Sequence, residues 1–147
     1  MYPQNTQLMN AVEILKQLNK ASKNTLMETL GIQYTNVGED FLVATMPVNS
    51  KVHQPMGLLH GGATVALAES VGSAASHLFI DRDKYMIKGI EISANHLKSV
   101  QEGVIYAKAT VIHKGKTTHL WQVKITDHQQ NLISICKITN IVLSKNF

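Results

Sequence analysis

The chain has 147 residues, 44% of them hydrophobic and 16% charged, a size suited to one domain with one core and an apolar content too high for disorder. One cysteine, Cys136, excludes an internal disulfide framework and a multi-cysteine zinc site. Fourteen basic residues, mostly lysine, against ten acidic give a net charge of +4, and no run interleaves basic with aromatic side chains, which argues against a nucleic-acid partner.

The first residues, MYPQNTQLMNAVEILKQ, lack the basic and then apolar regions of a secretory signal, so a cytoplasmic location is expected. From Met9 to about Ala21, Met9, Val12, Leu15 and Leu18 recur at helical spacing and predict an amphipathic helix. Thr25 to Leu30 adds a turn that stops at Gly31, completing an N-terminal helical segment over residues 1–30. Ile32 to Val37 and Phe41 to Val48 read as strands joined at Gly38, Glu39 and Asp40. His53 to Leu59, with Pro55 and Gly57, is a loop.

His60 to Ile80, HGGATVALAESVGSAASHLFI, predicts one long helix whose side chains are mostly very small. A helix small and apolar on nearly every side is expected to be buried. Its central carboxylate, serines and flanking glycines argue against a membrane span. Four strands follow, Met86 to Lys98, Val104 to His113, Thr118 to Thr126 and Leu132 to Leu143, with short turns between them. Short connections require antiparallel neighbours. The expected class is α+β, a long central helix at about residues 60–79 wrapped by one antiparallel sheet.

Glu69 is the only acidic residue between Asp40 and Asp81. A carboxylate in a buried helix is costly to ionise unless paired or solvated, so it either faces a wet groove, meets a lysine or does chemistry. Ser73, four residues on, shares its face and could hold a water or a substrate group beside it. The helix opens with His60, Gly61 and Gly62, where uncovered backbone N–H groups and the positive dipole end make an oxyanion-hole candidate. Glu69 lies about 10 Å along the axis from that end, too far to attack a carbonyl held at its own Gly62. Two antiparallel helices in a dimer would bring Glu69 of one subunit to Gly62 of the other. His60 fits two roles, orienting substrate or Gln54, or hydrogen-bonding at the loop-to-helix junction. The amide of Gln54 could donate to a thioester carbonyl. Seven histidines are scattered without ligand spacing, so no metal is expected, and Cys136 reads as a small core residue. The nucleophile-elbow, zinc-protease, phosphate-loop and dinucleotide motifs are absent.

With Gln54, His60, Gly61, Gly62, Glu69 and Ser73 in this register, the sequence resembles the hotdog-fold acyl-CoA thioesterases. It looks closest to the branch of 1,4-dihydroxy-2-naphthoyl-CoA hydrolase and the Glu-dependent 4-hydroxybenzoyl-CoA thioesterases. The likeness runs from about Leu30 to Leu143 and is strongest in HQPMGLLHGGATVALAESVGSAA, GIEISANHLKS and HKGKTTHLWQVKI. The resemblance implies one hotdog thioesterase domain over residues 1–147, hydrolysing an aromatic acyl-CoA without a cofactor, with menaquinone biosynthesis as a candidate setting. It implies Glu69 as nucleophile or general base and Gly62 as backbone donor to the thioester carbonyl, assisted by Gln54. His60 would sit at the substrate site, and Ser73 would position water or the carboxylate. Sites between subunits and a homo-oligomer, a dimer at least and commonly a tetramer, follow from it. The lysine excess then offers contacts for CoA phosphates. The candidates are Asn95, His96, Lys98 and Ser99 in one run and Lys114, Gly115, Lys116 and Thr117 in another, with solvated turn lysines as the alternative. Met56, Val65, Leu67 and Val71 are candidates to line the acyl pocket. A non-catalytic acyl-CoA or aromatic-ligand binding protein and a hotdog dehydratase are the competing expectations.

Overall fold

The computed structural model describes residues 11–146. Two short helices come first, α1 (Ala11–Ala21) and α2 (Leu26–Leu30). Met9 lies outside the described residues. Leu15 and Leu18 of α1 pack on the core, but Val12 is exposed, so the apolar stripe works only over its second half. Asn19 fastens that half to the sheet, its amide donating to Tyr34 O at 2.9 Å and its oxygen accepting from Tyr34 N at 2.8 Å. Thr25 caps α2, and Gly31 ends it in the left-handed region at φ 71°, where its N–H reaches the last-turn carbonyls.

Six strands form one antiparallel sheet: β1 (Gln33–Val37), β2 (Phe41–Val48), β3 (Tyr85–His96), β4 (Gly103–Lys114), β5 (Thr118–Thr126) and β6 (Leu132–Ser144). Their order across the sheet is β1-β2-β4-β5-β6-β3. Each inner strand alternates as period two demands: Leu42, Ala44 and Met46, Ile105, Ala107 and Ala109, and Trp121, Val123 and Ile125 are all buried on one face. Among the described residues strand β3 is an edge strand, hydrogen-bonded to β6 alone, with a bulge between Gly89 and Glu91.

The long helix α3 (Gly61–His77) lies on the buried face of this sheet. The architecture is the α+β arrangement of a helix wrapped by a sheet that the hotdog resemblance implies. The helix is shorter than expected at its end. His60 is its N-cap, and Leu78 to Ile80 form a terminal turn in which Phe79 stacks on Trp121 at 5.4 Å. Leu67, Ala68, Val71 and Ala75 press on the sheet. Gly72 meets β6 so closely that a Cβ there would lie 2.4 Å from Ile138 Cγ2.

The expectation of all-round burial needs correction. One sheet covers one side of α3, so Gly62 and Glu69 are exposed and Ala63, Ala66, Ser70 and Ser73 only half-buried. The expected pocket role of Leu67 and Val71 also falls, because both sit in the sheet-facing core with no exposed surface. Val65 is half-buried, and Met56 lies largely in solvent. Among the described residues, no helix is long and apolar enough to cross a membrane.

Candidate active site

The site begins in the loop before α3. One turn of 3-10 helix, Ser50–Val52, leads into it, and a bridge between His53 and Leu59 closes it around Gly57 at φ 76°. The His53 ring donates through Nε2 to Gln101 O at 2.7 Å, while Leu59 N reaches Val100 O at 2.7 Å, so the loop is tied to the β3–β4 connection. Inside it Gln54 Oε1 accepts from Met56 N. That contact occupies the amide oxygen and leaves Nε2 as the outward group, a pure donor.

At the helix start the structure decides between the two roles of His60. Its Nδ1 accepts from Gly62 N at 2.8 Å, an N-cap made by an imidazole. The backbone donor expected to hold a carbonyl oxygen is therefore engaged by its own neighbour. An Nδ1 that accepts is unprotonated, so this cap requires a neutral ring.

His96 sits against the same helix end. A Cβ on Gly61 would lie 2.9 Å from its Nε2, so the glycine is what lets the ring approach. His96 Nδ1 lies 3.1 Å from Ser134 Oγ, and that hydroxyl gives its single proton to Asn95 O at 3.0 Å. The ring must then donate from Nδ1. His96 thus stands at the helix end, in the wall of the same cleft as Lys98 and Ser99.

A cleft of about 290 Å³ opens here, lined by Gln54, Thr64, His96, Lys98, Val100 and Ile133 among others. Ser99 is in its wall as well, and Asn95 is exposed one residue before His96. Lys98 leans away at one side, its Nζ 3.5 Å from Asp127 Oδ2. The other run, Lys114, Gly115, Lys116 and Thr117, turns at the far end of the fold. Lys114 Nζ stands 3.9 Å over the Phe79 ring, beyond the C-terminus of α3. Helix α3 alone spans about 25 Å, so one protomer does not unite the two runs.

Glu69 has no ion-pair partner among the described residues, and its side chain reaches over β3 to the edge of the sheet. A Cβ on Gly89 would lie 2.9 Å from Glu69 Oε1 and 3.6 Å from Asn140 Oδ1. Gly89 therefore lets the carboxylate settle on the edge strand. Ser73 lies one turn along the same half-open face. Glu69 and Gly62 remain about two turns apart, as the spacing requires. Beneath Glu69 runs a buried polar chain: Trp121 Nε1 donates to Ser76 Oγ at 2.7 Å, and Asn140 Nδ2 donates to Ser76 Oγ at 2.8 Å and Gly72 O at 3.2 Å.

Sequence reasoning missed Gly89, Ser134 and Asn140. Period two does place Ser134, Cys136, Ile138 and Asn140 on one inward face, so a polar residue at 140 was detectable as an oddity. Cys136 is the small core residue expected, its thiol pKa raised by burial. Among the described residues, no three His, Cys, Asp or Glu side chains are grouped to hold a metal.

An antiparallel sheet around one helix, with a carboxylate on that helix and a glycine-rich helix start, defines a hotdog thioesterase. The chain belongs to the Thioesterase superfamily, whose profile matches residues 56–134. It is 43% identical to the proofreading thioesterase EntH of Cronobacter turicensis over 88% of this chain and 93% of that protein. It superposes on the crystal structure of a mutant thioesterase PA1618 from Pseudomonas aeruginosa with a TM-score of 0.87 at 42% identity, over 88% of this chain and 94% of the other. The crystal structure of thioesterase HI1161 from Haemophilus influenzae gives a TM-score of 0.87 at 38% identity, over 90% and 92%. The protein is a thioester hydrolase.

Proposed function

We propose that the chain acts as a single-domain, cytoplasmic acyl-CoA thioesterase that cleaves an aromatic acyl-CoA to free acid and CoA, with 1,4-dihydroxy-2-naphthoyl-CoA as the lead candidate. Each active site is shared by two protomers. The position of Glu69 carries the reading: an exposed carboxylate without an ion-pair partner among the described residues, laid over Gly89 of an edge strand.

Strand β3 has twelve residues and, among the described residues, is paired on one side only. Its other side offers backbone donors and acceptors to a second chain. Two β3 strands meeting antiparallel about a twofold axis continue the sheet and lay the two α3 helices side by side in opposite directions. Glu69 then faces the helix start of the partner subunit, which removes the separation of about 10 Å within one helix. Pairing of such dimers gives the expected tetramer.

In this arrangement the thioester carbonyl oxygen approaches the Gly62 N–H and the Gln54 amide. Glu69 of the other subunit, with Ser73 on its face, activates the attack on carbon. The acyl group enters the cleft lined by Leu59, Val100 and Ile133. Lys98 and Ser99 at its wall are candidates for CoA phosphates. Lys114 to Thr117 could contribute to the same CoA only from a different subunit.

Thiol release from naphthoyl-, benzoyl- and straight-chain acyl-CoAs tests the reading. Turnover over Michaelis constant is expected to favour the aromatic thioesters, and Glu69→Gln is expected to lower kcat by roughly 10²–10⁴-fold. Near-normal turnover by Glu69→Gln refutes the assignment. Binding without turnover by the intact protein selects the binding protein instead, and hydration of an enoyl thioester without thiol release selects the dehydratase.

A further inference from the structure

Asn140 is fully buried, yet its Oδ1 has no hydrogen-bond partner among the described residues. A buried carbonyl oxygen without a donor forfeits its bonds to water and gains none, so a group left in that state calls for a reason. The amide cannot escape by flipping. Nδ2 donates to Gly72 O, and a backbone carbonyl can only accept, so the oxygen must point the other way.

What it points toward is the notch above Gly89. Asn140 and Gly89 are directly paired across β6 and β3, and the missing side chain of Gly89 leaves room between them and α3 for a polar group. The Glu69 carboxylate enters the same notch from the helix, at the distances given above. Two acceptors face one space, and neither can donate to the other while Glu69 is ionised. The smallest group that satisfies both is a water donating one proton to each. A linear bridge of this kind spans at most about 5.6 Å, and Glu69, on the exposed face of α3, has the side-chain freedom to adopt it.

We propose that Asn140 holds the attacking water of hydrolysis against Glu69, in the notch that Gly89 keeps open. With both protons pinned by acceptors, the water turns a lone pair outward to the thioester carbon. Its oxygen forms the bond to that carbon, the carbonyl electron pair moves onto oxygen, and Glu69 takes one water proton. The second proton stays on the new hydroxyl, still held by Asn140 Oδ1. The intermediate collapses by expelling the thiolate, which receives the proton from Glu69, so thioester and water become acid and thiol. The neighbouring position on β5 is His119, paired with Asn140, and its Nδ1 is also buried without a partner among the described residues. The seam beneath α3 thus holds a second polar atom suited to ordered water.

This inference rests on Glu69 as the catalytic carboxylate, and the test separates the two. A high-resolution crystal structure is expected to show an ordered water within about 3.2 Å of both Asn140 Oδ1 and the Glu69 carboxylate. A protein donor bonded to Asn140 Oδ1, from this chain or a partner, overturns the proposal. In kinetics, Asn140→Ala is expected to lower kcat roughly 10- to 100-fold with little change in KM. Because Asn140→Ala also removes the Nδ2 bonds, Gly89→Ala serves as a second variant. It leaves those bonds intact and fills the notch, its Cβ crowding only the free end of Glu69 and resting in ordinary contact with Asn140 Oδ1, and it is expected to lower kcat at nearly unchanged melting temperature. In the Glu69→Gln background neither substitution should reduce the residual turnover much further, because both act on the same water. A loss that simply adds in that background marks a structural role and overturns the proposal. Inactive Glu69→Gln with fully active Asn140→Ala and Gly89→Ala defeats the water site alone, whereas active Glu69→Gln defeats the function itself.

Discussion

Gly72→Ala tests the central packing of the molecule, because two opposing effects of known size meet at one atom. In an exposed helix, Gly→Ala stabilises by about 1 kcal/mol. Here the added Cβ would stand 2.4 Å from Ile138 Cγ2, against an ordinary carbon–carbon contact of about 3.5–4.0 Å. Ile138 cannot swing aside. It is fully buried on β6, between Trp121 on β5 and Ile92 on β3. Helix and strand must therefore part by about 1 Å, and overpacking of this kind costs up to about 3 kcal/mol. The expected balance is a destabilisation of about 2 kcal/mol, or roughly 4–8 °C in melting temperature for a chain of this length. Urea unfolding followed by the fluorescence of Trp121 reads it directly, since this single tryptophan is buried, bonded to Ser76 of α3 and stacked on Phe79. The same shift displaces Glu69 and Gly62, which α3 carries, so kcat should fall by up to about 100-fold. Adding Ile138→Ala should cost less in Gly72→Ala than in the wild type. A Gly72→Ala protein as stable as the wild type, or more so, refutes the packing argument.

Asp127 and Lys98 supply the remaining predictions. The side-chain amide of Asn131, followed by the backbone N–H groups of Asn131 and Gln129 and the charge of Lys98, outweighs desolvation and holds the Asp127 pKa down to about 2. A carboxyl depressed by folding stabilises the fold above the unfolded pKa, here about 3.8, and that contribution is lost as pH falls toward 2. The stability gap between wild type and Asp127→Asn, measured by denaturation from pH 7 downward, should close across that window; a gap independent of pH contradicts it. Lys98→Gln should raise KM for a CoA thioester about 1.5- to 5-fold at low salt, the worth of an exposed ion pair, and less at high salt. An equal rise for the matching N-acetylcysteamine thioester, which has no phosphates, rules out a phosphate contact.

How far the sequence carries depends on whether a residue's role is local. Strand β5 falls at Thr118–Thr126 as expected because its alternation has one dry face and sharp turns at both ends. The expected end of α3 lies beyond the observed one at His77 because Leu78, Phe79 and Ile80 are apolar enough to continue a helix. The partners that hold Phe79 instead, Trp121 and Lys114, are more than thirty residues away. The spacing of Glu69 from Gly62 was readable from helix geometry alone. The His60 cap was not, since a ring beside a helix start can face the backbone or the solvent. Asn140 lay furthest from reach. Its meaning depends on a cross-strand glycine and a helix carboxylate that only the folded sheet brings together.

The imidazole cap on Gly62 bears on how the proposed site would spend its helix-end donor. With no substrate, the N–H gives its bond to neutral His60, so the donor stays satisfied at a place where solvent also reaches. A thioester carbonyl must take that bond from the ring, and exchanging one neutral acceptor for another is nearly even in free energy. The exchange therefore contributes little to holding substrate. As negative charge gathers on the carbonyl oxygen, the same N–H makes a charge-assisted bond about twice as strong, reinforced by the positive end of α3. The released ring can remain beside that oxygen. The gain falls on the transition state and hardly at all on the bound substrate, and only a gain of that kind raises kcat. A free, uncapped N–H would bind the ground-state carbonyl more tightly and lose part of this difference.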